Sequence, residues 1–232
     1  MTTYQHSQST TIGTTIREIV FGMEDGMVST LGAVTGIAIG SQNHFMVVFS
    51  GVVIIAVESI SMGIGSYLSN QSEYEVNQRR IDEEREEIEL YPEQEKNELL
   101  QLFKRDGWPD ELANRMANQA SEDPQLMLNE MVYRELLIQD ETSSIAIKNG
   151  FFMFFSYIVG GLFSLASYFV LPISSAMPVS IVLTLVSLFG LGVLTTKYSK
   201  VSWWKAGGRV LLLGLLALMA GYLIGLFAKT YA

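Results

Sequence analysis

The sequence predicts an all-α, polytopic membrane protein with five transmembrane helices and a cytosolic helical insertion between the second and the third. Three observations predict this fold: five apolar stretches of membrane-spanning length, a charge distribution split between two parts of the chain, and loops whose basic residues give one consistent orientation. Of the 232 residues, 49% are hydrophobic and 17% are charged. We therefore expect a lipid-embedded part and an acidic part exposed to water.

A helix needs about 20 mostly apolar residues to cross a bilayer. Five stretches reach this length: 16–40, 45–69, 149–171, 178–196 and 208–228. The last three contain no acid, whereas the first two carry Glu18, Glu24, Asp25 and Glu58. A buried hairpin of a soluble domain is the alternative for 16–69, but it would show a polar outer face that this segment lacks. We expect Glu18 and Glu24 to lie near the membrane surface.

The basic residues predict the orientation of the chain in the membrane. The loops 41–44 and 172–177 contain no lysine or arginine, whereas the loop 197–209 contains four basic residues and the first helix begins at Arg17. The positive-inside rule then places the amino terminus and the insertion in the cytosol, and the carboxy terminus outside. Residues 1–15 are polar without a signal-peptide pattern, and we expect them to form a mobile tail.

The insertion carries most of the charge. Residues 73–141 hold 20 of the 24 acidic residues and 8 of the 15 basic ones, a net charge of −12, whereas the rest of the chain carries +3. A nucleic-acid partner would need a basic surface, which this distribution does not supply. An insertion of this length is too long for an ordinary connection. We therefore divide the chain into four parts: 1–15 (tail), 16–71 (first two transmembrane helices), 72–148 (acidic cytosolic helical domain) and 149–232 (last three transmembrane helices).

Prolines divide the insertion into helices. No proline occurs between Phe45 and Leu90, so the second transmembrane helix is expected to continue into the cytosol. Proline favours the first turn of a helix. We therefore expect three further helices that begin near Pro92, Pro109 and Pro124, the last of them reaching about Ile138.

Acids inside a membrane are costly and mark a functional path by default. Asp25 and Met62 lie about 13 and 12 Å along their helices from the same membrane face, at 1.5 Å per residue. Glu58 is one turn from Met62 on the same helix face. These three residues are the predicted translocation path. The alternative is that Glu58 bonds a serine or a carbonyl group and that Met62 only fills the core.

The insertion offers a second set of candidate ligands. Glu84 and Glu87, Glu95 and Glu98, and Met131 and Glu135 are spaced three or four residues apart, so each pair shares one helix face. If the three faces meet, the resulting site of oxygen ligands and one thioether suits iron(II) or manganese(II). The alternative is an ordinary solvated face of glutamates.

Five glycines of the first helix are spaced four residues apart at all but one gap, a small-xxx-small pattern: Gly22, Gly26, Gly32, Gly36 and Gly40. This pattern lets helices approach closely. A dimer seam and tight packing within one chain would explain it equally well.

Four long motifs resemble the vacuolar iron transporter family. They are DGMVSTLGAVTG at 25–36, SMGIGSYLSNQSE at 61–73, EREEIELYPEQEKNEL at 84–99 and EMVYREL at 130–136. The resemblance implies five transmembrane helices, a homodimer, exchange of cytosolic iron(II) for protons, and a metal-binding domain between the second and third helices.

The resemblance also implies which residues bind metal. The family's cytosolic ligands fall on Glu84, Glu87, Glu95, Glu98, Met131 and Glu135, and its path residues fall on Asp25 and Met62. The family has a glutamate two turns before the methionine, where this chain has Ile54. Glu58, one turn closer on the same face, is the expected replacement.

The sequence thus predicts a secondary transporter that moves Fe²⁺, Mn²⁺ or both out of the cytoplasm in exchange for protons. The chain contains no cysteine, only two histidines and no GxxxxGK[ST] loop, which argues against thiolate sites, histidine-based zinc sites and ATP-driven transport. We expect no organic cofactor and no enzymatic activity. A membrane-anchored metal sensor or storage-assembly protein is the alternative, and a membrane di-iron oxidase, which needs Glu-x-x-His pairs, ranks last. The expected location is the inner membrane of a prokaryote, with the vacuolar membrane as the alternative.

Overall fold

The structure is a computed structural model, and it describes residues 9–138, 143–199 and 201–231. Within these residues every regular element is an α-helix, which confirms the all-α prediction. Eight helices follow in order: α1 (Ser9–Ser41), α2 (His44–Leu90), α3 (Pro92–Arg105), α4 (Asp110–Ser121), α5 (Pro124–Arg134), α6 (Ser143–Val170), α7 (Ile173–Ser199) and α8 (Trp203–Tyr231).

Four helices of the described chain are long and apolar enough to cross a membrane. They are His44–Leu90, Ser144–Val170, Ile173–Lys197 and Trp203–Thr230. Helix α1 has 33 residues but is not among them. The reason is that Glu24 and Asp25, together with its many glycines, serines and threonines, lower its apolar character. A fifth transmembrane helix therefore stays a prediction.

Helix α2 has two chemically different parts. Its 47 residues correspond to about 70 Å at 1.5 Å per residue, more than twice the thickness of a bilayer core of about 30 Å. The apolar stretch is confined to 45–69, and the remainder is rich in charged residues. Only the first part can therefore lie in lipid, and the charged residues beyond it belong in water.

The described chain divides into two compact units. One, the apolar unit, contains the residues up to Leu68 and those from Ala146 onward; the other, the acidic unit, is Ser69–Ile145. Large apolar side chains are exposed along α2, α6, α7 and α8 of the apolar unit, for example Val57, Phe155, Val186 and Phe227. Exposed apolar surface on this scale is what a lipid-facing or partner-facing protein presents.

Glycines of α1 let it pack closely against α6 and α8. A Cβ added to Gly26 would lie 2.3 Å from the carbonyl oxygen of Tyr157, and one added to Gly221 would lie 1.9 Å from that of Gly32. Real Cβ atoms do not approach so closely, so both contacts require glycine. Packing within one chain therefore accounts for the glycines in the first part and the middle of α1, and a dimer seam is not needed to explain them.

This packing predicts a large stability effect. Substitution of Gly221 by alanine should lower the thermal unfolding temperature of the purified chain sharply, because overpacking of this kind costs about 1–3 kcal/mol or more. Gly190 is the matched control, since a Cβ there would meet nothing within 4 Å. Thermal unfolding in detergent measures both variants. Equal unfolding temperatures for the two would contradict the close α1–α8 approach.

Two contacts fix the antiparallel register of α1 and α2. Near the start of α1, the Ser66 hydroxyl donates a hydrogen bond to Glu18. Farther along, a Cβ on Gly51 would lie 3.2 Å from the Val34 side chain. The residue numbers of each pair sum to nearly the same value, as expected for antiparallel helices. Interpolation places Asp25 at the level of Glu58.

The acidic unit has its own apolar core, made by the charged end of α2 and by α3, α4 and α5. Its buried residues are Ile88, Leu99, Leu102, Phe103, Ala113, Ala117, Ala120, Met127, Leu128 and Met131. Pro92 and Pro124 open α3 and α5 as predicted, and the Asp123 carboxylate caps α5 by accepting from the amide of Gln125 at 2.9 Å. Gly107, with φ +92°, ends the turn after α3 in a conformation that favours glycine.

Several predicted boundaries were wrong by a few residues. Helix α1 begins at Ser9, so residues 9–15 are helical and not part of a tail, while residues 1–8 lie outside the described residues. Helix α5 ends at Arg134 and not near Ile138, because Leu137 has a positive φ of 54° that α-helix excludes. Most of the predicted loop 172–177 is the first turn of α7, since the amide of Ala176 donates to the Pro172 carbonyl at 2.8 Å.

Candidate metal centre

Helices α2 and α3 bring three carboxylates together in the acidic unit. Glu84, Glu87 and Glu95 each offer an oxygen, and these oxygens lie within 4.8 Å of one another. The break at Tyr91 and Pro92 turns the chain so that the first turn of α3 faces the end of α2. Oxygen ligands lie about 2.0–2.6 Å from a divalent ion, and hence at most about 5 Å from one another. The spacing is therefore compatible with a shared cation.

Two of these carboxylates are shielded from water, although the sequence alone allowed a solvated face. Glu84 is 3% exposed and Glu95 is 8% exposed. The Oε1 atom of Glu84 is buried and has no hydrogen-bond partner. An unpaired buried carboxylate oxygen is costly unless something else satisfies it. A bound cation is one group that would do so.

The electrostatics of the cluster confirm that its members crowd one another. Burial raises the pKa of Glu84 from 4.5 to about 7, and the charges of Glu135 and Glu95 add to this effect. The pKa of Glu95 is also raised, by burial and then by Glu98. With a pKa of about 7, Glu84 is partly protonated near neutral pH when no cation compensates the charge of the cluster.

Glu98 and Glu135 lie at the exposed side of this cluster. Burial raises the pKa of Glu135, the charges of Glu98 and Glu87 raise it further, and the nearby Arg80 opposes them. The five predicted carboxylates therefore belong to one electrostatic group. Met131, the predicted thioether ligand, has no exposed surface and packs in the apolar core of the acidic unit. Its role as a ligand stays a prediction.

The apolar unit contains the second predicted set. Asp25 and Glu58 interact electrostatically across α1 and α2, in agreement with the helix register. Ser29 is fixed beside them: its hydroxyl donates to the Asp25 carbonyl oxygen at 2.7 Å and shares a hydrogen bond of 2.6 Å with the Tyr157 hydroxyl. Asp25 and Met62 are half-buried, whereas Glu58 is exposed.

Sequence reasoning missed the environment of Glu18. The sequence predicted only its depth, near the membrane surface, whereas the structure shows that its side chain is buried, with 5% exposure. Its Oε2 accepts from the Ser66 hydroxyl at 2.8 Å, and its Oε1 pairs with the Arg17 guanidinium at 3.2 Å. A signal was available: Glu18 precedes Asp25 by seven residues, two helical turns, and so shares its face of α1.

These features define a helical protein of membrane type with a partly buried cluster of acidic side chains in a separate unit. The model of the VIT family matches residues 16–226, and the chain belongs to that family. The family indicated by the four sequence motifs is thus confirmed.

Several curated relatives have the same length range as this chain. Vacuolar iron transporter 1 of Eucalyptus grandis is 27% identical over 220 residues, which cover 94% of this chain and 88% of the relative. Vacuolar iron transporter 1 of Arabidopsis thaliana is 29% identical over 183 residues, 78% of this chain and 73% of the relative. The vacuolar iron transporter of Plasmodium berghei is 25% identical over 225 residues, covering 93% and 82%. These relatives are named as transporters and not as enzymes, in agreement with the prediction.

Proposed function

We propose that this chain is a secondary transporter that moves Fe²⁺, Mn²⁺ or both out of the cytoplasm in exchange for protons. The observation that carries the proposal is the pair of acidic sites in one chain of the VIT family. Glu84, Glu87 and Glu95 converge in the acidic unit, and Asp25 and Glu58 interact within the apolar unit. The names of the relatives support iron as the cargo.

The proposed topology has five transmembrane helices, with α1 as the one that length and composition alone do not identify. Its close packing on α6 and α8 through glycines supports a position inside the bundle, where its acids avoid lipid. The acidic unit and the amino terminus are then cytosolic, and the carboxy terminus lies outside the cytosol. The host membrane is the inner membrane of a prokaryote or, as for the named relatives, a vacuolar one.

In the first step the acidic unit collects the cation. Its net charge raises the local concentration of divalent ions, and the cluster around Glu84 supplies hard oxygen ligands that suit Fe²⁺ and Mn²⁺. Glu98, Met131 and Glu135 complete the proposed ligand set. Because the carboxylates must lose their protons to bind metal, capture is favoured at the higher pH of the cytosol.

In the second step the cation occupies Asp25, Glu58 and Met62. Where the family has a glutamate, this chain has Ile54, and Glu58 takes over the role of that glutamate. The interaction of Glu58 with Asp25 supports this assignment. Protons from the acidic side then protonate the carboxylates and release the metal.

The exposed position of Glu58 supports a homodimer. Its neighbours on α2 include Val57 and Ile60, both exposed and apolar. A charged side chain on such a surface is expensive in lipid. A second copy that covers this face would remove Glu58 from lipid and would place two sets of path residues opposite each other.

The test is iron(II) uptake into proteoliposomes that hold the purified chain, with an acidic lumen. We expect Fe²⁺ to accumulate in vesicles with the protein and not in empty vesicles. The alternative function, a membrane-anchored sensor or storage-assembly protein, explains the cluster at Glu84 but leaves Asp25 and Glu58 without a role. Vesicles that bind Fe²⁺ on the outside without accumulating it would favour that alternative.

A further inference from the structure

Arg134 is the last residue of α5 and lies between two proposed ligands, Met131 and Glu135. Its side chain is 14% exposed. The Nε atom donates to Glu130 Oε2 at 2.8 Å, and Nη1 forms an ion pair with Asp106. The guanidinium carbon lies 4.5 Å from the centroid of the Phe103 ring. Two ion pairs and a ring contact of one side chain thus hold this helix end in place.

These contacts join the end of α5 to the end of α3. Phe103 belongs to α3, and Asp106 follows that helix directly. The backbone takes part as well, since the Arg105 side chain donates to the Arg134 carbonyl oxygen at 3.1 Å. Helix α3 carries Glu95 and Glu98, and α5 leads into Glu135. Arg134 thus joins the helix end that leads into Glu135 to the helix that carries Glu95 and Glu98.

We propose that Arg134 is a positioning residue for the divalent-cation site of the acidic unit; this inference rests on the function proposed above. It acts by geometry and not by charge, because Asp106 and Glu130 already compensate its guanidinium. The two modes of action predict opposite changes in metal affinity when Arg134 is replaced. A cation near an anionic site disfavours metal binding, so loss of a purely electrostatic Arg134 would tighten binding, whereas loss of a positioning residue weakens it.

The experiment measures Co²⁺ affinity of the full-length chain in detergent by calorimetry. Arg134→Gln should weaken binding about tenfold or more, the range typical of partners that orient metal ligands. Arg134→Lys should be intermediate, because a single ammonium keeps the charge but cannot replace the planar fork that reaches two carboxylates. The matched control is Lys104→Gln. It removes the 3.1 Å ion pair between Lys104 of α3 and Asp110 of α4, which does not involve α5, and it should leave the Co²⁺ affinity unchanged.

A double-substitution cycle with Glu135→Gln separates positioning from a general loss of structure. If Arg134 orients Glu135, Glu135→Gln should reduce the Co²⁺ affinity less in the Arg134→Gln background than in the wild type. The visible spectrum of bound Co²⁺ should also change in Arg134→Gln. Additive losses with an unchanged spectrum would overturn the inference, as would unchanged or tighter binding in Arg134→Gln. Should Arg134→Gln fail to fold, Asp106→Asn removes the same ion pair by changing the partner of Arg134, and it must also weaken Co²⁺ binding.

The cluster itself is checked in parallel with the Glu95→Gln/Glu98→Gln variant. If the wild type binds no Co²⁺, or binds it as well without these two carboxylates, the proposed metal site fails and the inference fails with it. If the cluster binds Co²⁺ and Arg134→Gln does not differ from the wild type, only the role of Arg134 is refuted.

Discussion

Replacement of Asp25 by asparagine is expected to reduce Fe²⁺ flux into proteoliposomes to the level of empty vesicles. Asparagine has nearly the same size and keeps an oxygen, but it cannot carry a negative charge or exchange a proton. Asp25 lies at the level of Glu58 on the neighbouring helix, and the two carboxylates interact. A dehydrated divalent cation needs this charge in a medium where solvation is weak. The measurement is the initial rate of Fe²⁺ uptake with an acidic lumen.

Glu24→Gln is the matched control for this substitution. Glu24 is the preceding residue on α1 and is half-buried like Asp25, but it points about 100° away around the helix. We expect its flux to stay close to that of the wild type. Wild-type flux in Asp25→Asn would remove Asp25 from the path, and equal losses in both variants would indicate a general effect of charge on α1.

Metal binding by the acidic unit is expected to fall steeply as the pH drops below 7. The pKa of Glu84 is raised to about 7, and metal binds only the deprotonated form. Each pH unit below this value should therefore weaken Mn²⁺ binding about tenfold for each proton that the metal displaces. Glu84→Gln should lower the affinity at pH 8 and flatten the pH dependence. Calorimetric titration of the full chain between pH 5.5 and pH 8 measures both effects.

The raised pKa of Glu84 also determines how the stability of the metal-free acidic unit changes with pH. Between 4.5, the ordinary value, and about 7 the folded state holds a proton on Glu84 that the unfolded chain has lost. The metal-free acidic unit should therefore become less stable as the pH rises through this window, and added Mn²⁺ should restore stability above it. Hydrogen exchange of the amides in α3 and α5 reports this directly. Protection that increases with pH in the absence of metal would contradict the burial of Glu84.

The sequence allowed prediction of those features that depend on short-range patterns. Proline positions identified the starts of α3 and α5, and the spacing of Glu84 and Glu87 placed both on one face of α2. The spacing along the two helices predicted that Asp25 and Met62 share one depth, with Glu58 one turn deeper. The antiparallel register places Asp25 closer to the level of Glu58.

Other features depend on packing between helices, which no single segment reveals. Burial of Glu18 involves Ser66 of another helix, so the sequence of α1 alone does not reveal it. The glycine pattern of α1 allowed either a dimer seam or internal packing, and only the short distance between Gly32 and Gly221 distinguishes them. The ion pair of Arg134 with Asp106 joins residues 28 positions apart, a separation at which sequence spacing carries no signal.

The most direct test is a simultaneous record of Fe²⁺ uptake and lumenal pH in sealed proteoliposomes with an acidic lumen. If the chain exchanges metal for protons, addition of Fe²⁺ outside should make the lumen more alkaline as iron accumulates, and a protonophore that removes the gradient should stop accumulation. Iron that enters without any proton efflux, or a lumen that stays acidic while uptake proceeds at full rate, would contradict this mechanism.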